Sequence, residues 1–488
     1  MVAILNAGGT PDTIQSRLDR VGIGLALTHD QRIAVDAIRT LVRSKGRAKG
    51  PSMAEAEAFA ARHPESPASS FLLAEASLAN EQPQRSADML IATAARAGSL
   101  LELVSPATVS KLVDQLDRQS DKRRTADLAK ALLGAGWSRG SAGLRSYLAM
   151  AAIRDELAAA RVDSAQRLLP AVRSPASLHA ILVDDRLAPL RGDVVRLAGP
   201  RLERAWRQYL TGTRDEWLER GDVVSASAYA EALKQANQHE ALVSAFLPRF
   251  MRGYNCPSDP VARTIAADVA DSLAKTGRWT KAEDVMRRSG GVSAAIYGAM
   301  LLERGAFGRA APLFQRSLSA AGAPDDIAEE KGIAWLRAAG NCAAFRDSKR
   351  AAVERYDPML LDVAARLFVM LCMDKTEEAR ASLLAALADD EERADALRWV
   401  QPFSDPPVQS AFRKEMSERI RALQRDPGVV EATRRFGRIL DWPLTSAVPG
   451  PAELGAGKAA APWQCGDQSD WEAMATQPET IRLPDSQP

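Results

Sequence analysis

The chain has 488 residues, of which 46% are hydrophobic and only 5% aromatic, with 64 Lys and Arg against 62 Asp and Glu and a formal net charge of +2. That length holds several compact domains or one long repeat array. The mixed, near-zero charge gives no electrostatic case for nucleic acid or a membrane surface. No apolar run approaches the roughly 18 residues that span a bilayer.

Residues 1–50 read as an N-terminal helical segment. Met1 to Leu5 lacks the cationic start of a secretory signal, so the sequence as it stands reads as cytoplasmic, with the periplasm as the alternative if the true start lies upstream. Gly8-Gly9 is not a phosphate loop, because no strand precedes it and no Lys-Ser/Thr follows. Helical patterning runs through Ile14, Leu18 and Val21 and again from Gln31 to Val42. The basic stretch Arg39, Arg43, Lys45, Arg47 and Lys49 reads as a solvated linker.

Residues 51–199 form a first block of helices. Ser52 and Glu55 have the spacing of a capping box. Pro64, Pro67 and Pro83 punctuate helices of the length expected for a repeat, and further turns are expected at Ser105-Pro106, Gly134 to Gly143 and Ser174-Pro175. Lys122, Arg123 and Arg124 read as an exposed turn. Asp184 to Arg191 is a charged, apolar-centred turn before a short helix, and Gly199-Pro200 is the expected internal boundary. Trp206, Tyr209 and Trp217 then sit at helical spacing as an aromatic core cluster.

Residues 200–404 form a second block, clearest over 261–387. Gly277 is followed by Trp279, Ala282 and Met286, and the pattern returns as Gly305, Phe307, Ala310 and Phe314. Each glycine suits a chain reversal, each aromatic the mouth of a helical hairpin, and each alanine a close helix contact. Thr280 and Glu283 are expected to cap the second helix of the first unit. Gly340 and Asp374 continue the register as turns, and Val162, Ala165 and Leu169, like Gly221, Val223, Ala226 and Ala230, follow it upstream.

This pattern resembles the tetratricopeptide (TPR) repeat, a pair of antiparallel helices of about 34 residues. The resemblance covers roughly Pro67 to Leu440, although the interval from Gly277 to Gly305 is only 28 residues. It implies an all-α chain, an α-solenoid of antiparallel hairpins in a TPR-like superhelix, with a partner groove on the first helix of each unit. That groove would present Ala267, Asp268, Asp271, Ala295, Ala299, Ala364 and Phe368. The Lys/Asn clamp of chaperone-tail-binding TPR domains is missing from these positions.

Residues 405–447 are expected to add C-terminal capping helices, through Phe412 to Leu423 and Val429 to Leu440. Residues 448–488, rich in Pro, Gly, Ala and Gln, read as a disordered tail that carries Trp463, Cys465 and Trp471.

No signature of chemistry emerges. His29, His63, His179 and His239 have no metal-ligand spacing and read mostly as surface or helix-end residues. No nucleophile elbow is present, and no cofactor or metal is expected. The acidic run Asp389 to Glu392 suits a turn or helix start. Cys342 and Cys372 each lie 15 residues from Asp357, where Asp357-Pro358 reads as the cap and first residue of a helix. On antiparallel helices they would share a height, so they are either a disulfide or two buried thiols.

The expected function is a non-catalytic scaffold that binds protein or peptide partners. The alternative is an enzyme or envelope-associated accessory protein with a site near the block junction at Asp184 to Arg191. The soluble lytic transglycosylases resemble the chain in their helical arrays, but Glu65-Ser66 lies in a proline-flanked turn and no lysozyme-like domain follows.

Overall fold

A computed structural model describes residues 28–45, 52–251, 260–288, 294–321, 327–348 and 357–450. They form 23 α-helices and no strand. The chain divides into two compact units, Met1–Ser177 and Leu178–Pro488. Residues 451–488 of the expected tail, the glycine pair Gly8-Gly9, Asp325-Asp326, Cys256 and Cys465 lie outside the described residues.

The first unit holds α1 (His29–Lys45), α2 (Met53–Arg62), α3 (Pro67–Ala79), α4 (Pro83–Ala97), α5 (Pro106–Arg118), α6 (Lys122–Gly134), α7 (Ala142–Ala158) and α8 (Val162–Leu168). Short polar side chains start these helices by accepting otherwise orphaned N–H groups. Ser52 and Glu55 make the full reciprocal capping box, and Ser66, Ser105, Asp121 and Ser141 cap α3, α5, α6 and α7. Pro67, Pro83 and Pro106 fill first-turn positions where no N–H is needed. Lys122 to Arg124 is therefore a helix start and not a turn, with Arg124 paired to Asp88 at 2.9 Å. Arg39, Arg43 and Lys45 likewise belong to α1, where Arg39 meets Asp36 at 2.9 Å.

Phe71, Leu72, Leu90, Leu101, Leu112 and Leu148 form one buried cluster with Trp137, whose indole N–H donates to Val104 O at 3.2 Å. Behind α7, Ser146 Oγ accepts the N–H groups of Arg173 and Ser174, each at 2.8 Å. Ser146→Ala should leave both without that partner and destabilise the unit by about 2 kcal/mol. A urea midpoint equal to that of wild type would refute this.

After α9 (Pro175–Val183), which crosses the division, the second unit runs through α10 (Arg191–Ala198), α11 (Glu203–Arg220), α12 (Val223–Gln235), α13 (His239–Met251), α14 (Pro260–Lys275), α15 (Trp279–Arg288), α16 (Ala294–Arg304) and α17 (Phe307–Ala320). It continues with α18 (Ile327–Ser348), α19 (Val363–Cys372), α20 (Thr376–Ala388), α21 (Arg393–Trp399), α22 (Ala411–Gln424) and α23 (Pro427–Phe436). Helices close in sequence pack on one another: α14 on α15 and α16, α16 on α17 and α18, α19 on α20 and α21.

One turn recurs in both units. At Gly277, Gly305 and Asp374 the backbone enters the left-handed region, with φ of 81°, 82° and 61°. The next residue, Arg278, Ala306 or Lys375, donates its N–H five residues back, to Leu273, Leu301 or Met370. The same bond follows Glu81, Ser120, Ala160 and Asn237, all with positive φ. Glycine is thus one residue type among several at these reversals.

Several sequence expectations are corrected. Gly340 lies inside α18, where a Cβ would sit 3.4 Å from Phe314 Cβ, so it serves a close helix contact. Thr280 lies within α15, which starts at Trp279, and Glu283 accepts from Tyr297 OH at 3.1 Å instead of completing a capping box. Asp357 and Pro358 do form a cap and first residue, but of a single 3-10 turn; Asp362 caps α19. The last helix ends at Phe436, short of Leu440, with Gly437 behind it.

The division at Ser177 also falls upstream of Gly199-Pro200. Within the second unit, its opening residues are held by residues 437–444. Arg438 donates from its backbone N–H to Val183 O at 3.0 Å and from Nε to Leu182 O at 2.6 Å. Asp184 and Gly437 form an isolated antiparallel bridge, and a Cβ on Gly437 would collide with Val183 O. Trp206 Nε1 donates to Leu444 O at 2.8 Å, and the Trp442 ring lies edge-on to His179 at 5.7 Å.

Candidate functional site

The seven groove residues lie on three helices. Ala267, Asp268 and Asp271 are on α14, Ala295 and Ala299 on α16, and Ala364 and Phe368 on α19. The i, i+4 spacing of Ala267 and Asp271, of Ala295 and Ala299, and of Ala364 and Phe368 puts each pair on one helix face. Ala364 is exposed, and Ala267, Asp271, Ala295, Ala299 and Phe368 are half-buried. Asp268 is buried. Packing of α14 on α16 places the first five on neighbouring helices, whereas α18 intervenes before α19.

The two acidic residues differ. Asp268 accepts from Lys234 Nζ at 2.9 Å, and burial raises its pKa above the ordinary carboxylate value despite the opposing ammonium. Asp271 pairs with Lys275 at 2.7 Å, a half-exposed contact one helical turn away. Beneath them, buried His239 shares a hydrogen bond of 3.1 Å with Ser272 Oγ. Ser272 is fully buried, so this Ser–His contact lies in the core.

His239 stands at the first residue of α13, a helix end as expected, but is buried there, and His179 is buried within α9, contrary to the expectation of a surface or helix-end position. Burial pulls each imidazole down to a pKa of about 4, helped by Lys275 beside His239 and by Arg398 near His179.

The stretch Asp184 to Arg191 forms the expected turn ahead of α10, as a 3-10 segment capped by Asp184. Its charges are engaged within the stretch and by Asp390. Arg186 reaches both oxygens of Asp184, at 2.7 Å for the shortest contact, and donates to Asp390 O at 3.1 Å. Arg191 pairs with Asp185 and reaches Val183 O at 3.3 Å. The acidic run Asp389 to Glu392 is a turn as expected, in which Glu392 meets buried Arg366 at 2.6 Å. Trp206, Tyr209 and Trp217 are buried, with Trp217 stacked on Tyr229 at 5.4 Å.

Cys342 on α18 and Cys372 on α19 are joined by a disulfide, with Cα atoms 5.7 Å apart and both side chains fully buried. No group of three or more His, Cys, Asp or Glu side chains among the described residues is arranged to hold a metal ion. Among the same residues, no helix is long and apolar enough to cross a membrane.

Sequence reasoning missed the aromatic contact made on Phe368. The Phe412 ring of α22 stands edge-on to Phe368 at 6.3 Å and to Phe307 at 5.0 Å. No local signal marks that contact, because α22 reaches these rings across 44 and 105 residues (412 − 368 and 412 − 307). No protein-family model matches the chain, and no curated protein matches it either.

Proposed function

We propose that the chain is a non-catalytic scaffold that holds a protein or peptide partner along the first helices of TPR-like hairpins. The observation that carries this reading is the accessible row of small side chains. Ala267, Ala295, Ala299 and Ala364 keep solvent contact on helices whose other faces are buried. Small residues at i, i+4 leave width for a helix or an extended strand to lie across them. The disulfide between Cys342 and Cys372 supports the periplasmic alternative for the compartment, because such bonds persist in oxidising surroundings.

The test is an affinity purification with mass spectrometry from the native host, comparing wild type with Asp271→Arg and Ala299→Arg. Both sites are half-buried, and the Asp271–Lys275 pair contributes no more than about 1 kcal/mol, so the fold should survive. Each variant should lower recovery of the specific partner by about ten-fold. Unchanged recovery in both would remove the groove.

A further inference from the structure

One segment of the chain already sits on the helices that carry the groove. Val408 N–H donates to Lys275 O at 3.1 Å, and Ser410 Oγ donates to Glu303 O. Phe412 follows at the first turn of α22, between the Phe307 and Phe368 rings, with the Arg346 guanidinium 5.4 Å above its face. Three residues on, Glu415 accepts from Arg346 Nη2 at 2.8 Å. One turn further, Arg419 donates to Leu371 O at 2.8 Å and pairs with Asp374.

This has the layout of a bound peptide: an extended lead, an aromatic anchor, then a helical face with a carboxylate and a guanidinium at fixed offsets. The hold is concentrated in few groups. Phe412 and Met416 are the large apolar side chains buried in the first two turns of α22. The Arg419–Asp374 pair is partly exposed, a class that contributes little, whereas Glu415 meets the nearly buried Arg346. Pro406 and Pro407, ahead of the helix, have no N–H to donate.

We propose that residues 408–419 are an intramolecular occupant of the Phe368 end of the groove. The external partner is then an amphipathic helix with one aromatic anchor, a carboxylate three residues later and a basic residue four beyond that. It competes with α22 for the same seat. This rests on the scaffold reading and adds to it the partner class and a built-in competitor.

The experiment uses the full chain and a fluorescein-labelled synthetic peptide of residues 405–424, read by fluorescence anisotropy. Phe412→Ala in the protein should weaken the resident helix and raise peptide affinity about ten-fold over wild type. Adding Phe368→Ala should abolish that gain, and a peptide carrying the Phe412→Ala change should bind neither protein. Equal affinity for wild type and Phe412→Ala, or no binding to either, overturns the proposal. If circular dichroism shows that Phe412→Ala has lost its helices, Glu415→Arg takes its place, setting like charge against Arg346 with the same expected gain. A negative result here leaves the Asp271→Arg and Ala299→Arg comparison standing. Unchanged capture in that comparison removes the scaffold reading itself.

Discussion

Replacing both Cys342 and Cys372 by alanine should destabilise the second unit by about 3–4 kcal/mol under non-reducing conditions. The bond spans 30 residues and ties α18 to α19. In the unfolded chain it removes the freedom of that loop, and the logarithmic dependence on loop length gives the magnitude. Both sulfurs are fully buried, so the alanines also leave small voids that add to the loss. Urea unfolding of oxidised wild type against the double variant measures the effect. Wild type unfolded and refolded with reductant should fall to the level of the variant. Denatured, unreduced protein should report no more than two free thiols of its four cysteines. Four free thiols would show that the bond does not form.

Acidification from pH 7 to pH 4.5 should also destabilise this unit, by an amount traceable to two histidines. His179 and His239 have folded-state pKa values of about 4 against an ordinary 6.5. The unfolded chain therefore binds protons as pH falls through 6.5, while the native chain stays neutral until about 4. Stability from these groups is complete above 6.5 and is lost progressively down to about 4. Full development is worth about 3 kcal/mol per histidine at 1.36 kcal/mol per pH unit.

The geometry explains the depression. His179 is buried against Trp442, its Nε2 has no hydrogen-bond partner among the described residues, and Arg398 is the charge acting on it. For His239, Lys275 reinforces burial, while Asp271 and Glu240 oppose it. Asp268 works the other way, because burial favours its protonated form. Glu415, Asp405 and Asp426 have lowered pKa values, so their contributions fade only in more acidic solution. His179→Leu and His239→Leu should each flatten the dependence of the urea midpoint between pH 6.5 and 4.5. Identical slopes in wild type and both variants would exclude the buried imidazoles as the cause.

Much of the local architecture was legible because it rests on short-range chemistry. Ser52 with Glu55, Ser105 with Pro106, and the glycines at 277 and 305 act within a few residues of themselves, so their spacing marks helix starts and reversals. The reversals at Ser120 and Ala160 were hidden because the residue there carries a side chain that normally disfavours positive φ. Gly340 misled for the opposite reason: a glycine also serves close packing, and nothing local distinguishes that use. The candidate face was readable as three i, i+4 pairs. The contact of Phe412 with Phe368 was not, since an aromatic at a helix start announces no partner.

The residues alone therefore determined the all-helical class, several helix starts and many of the turns. These depend on apolar period and on hydrogen bonds that close over at most five residues. Tertiary structure decided the division at Ser177, the burial of His179 and the return of residues 437–444 to the start of their unit. The bond from Trp206 to Leu444 spans 238 residues. At that separation the encounter depends on how every intervening helix packs, which no short stretch encodes.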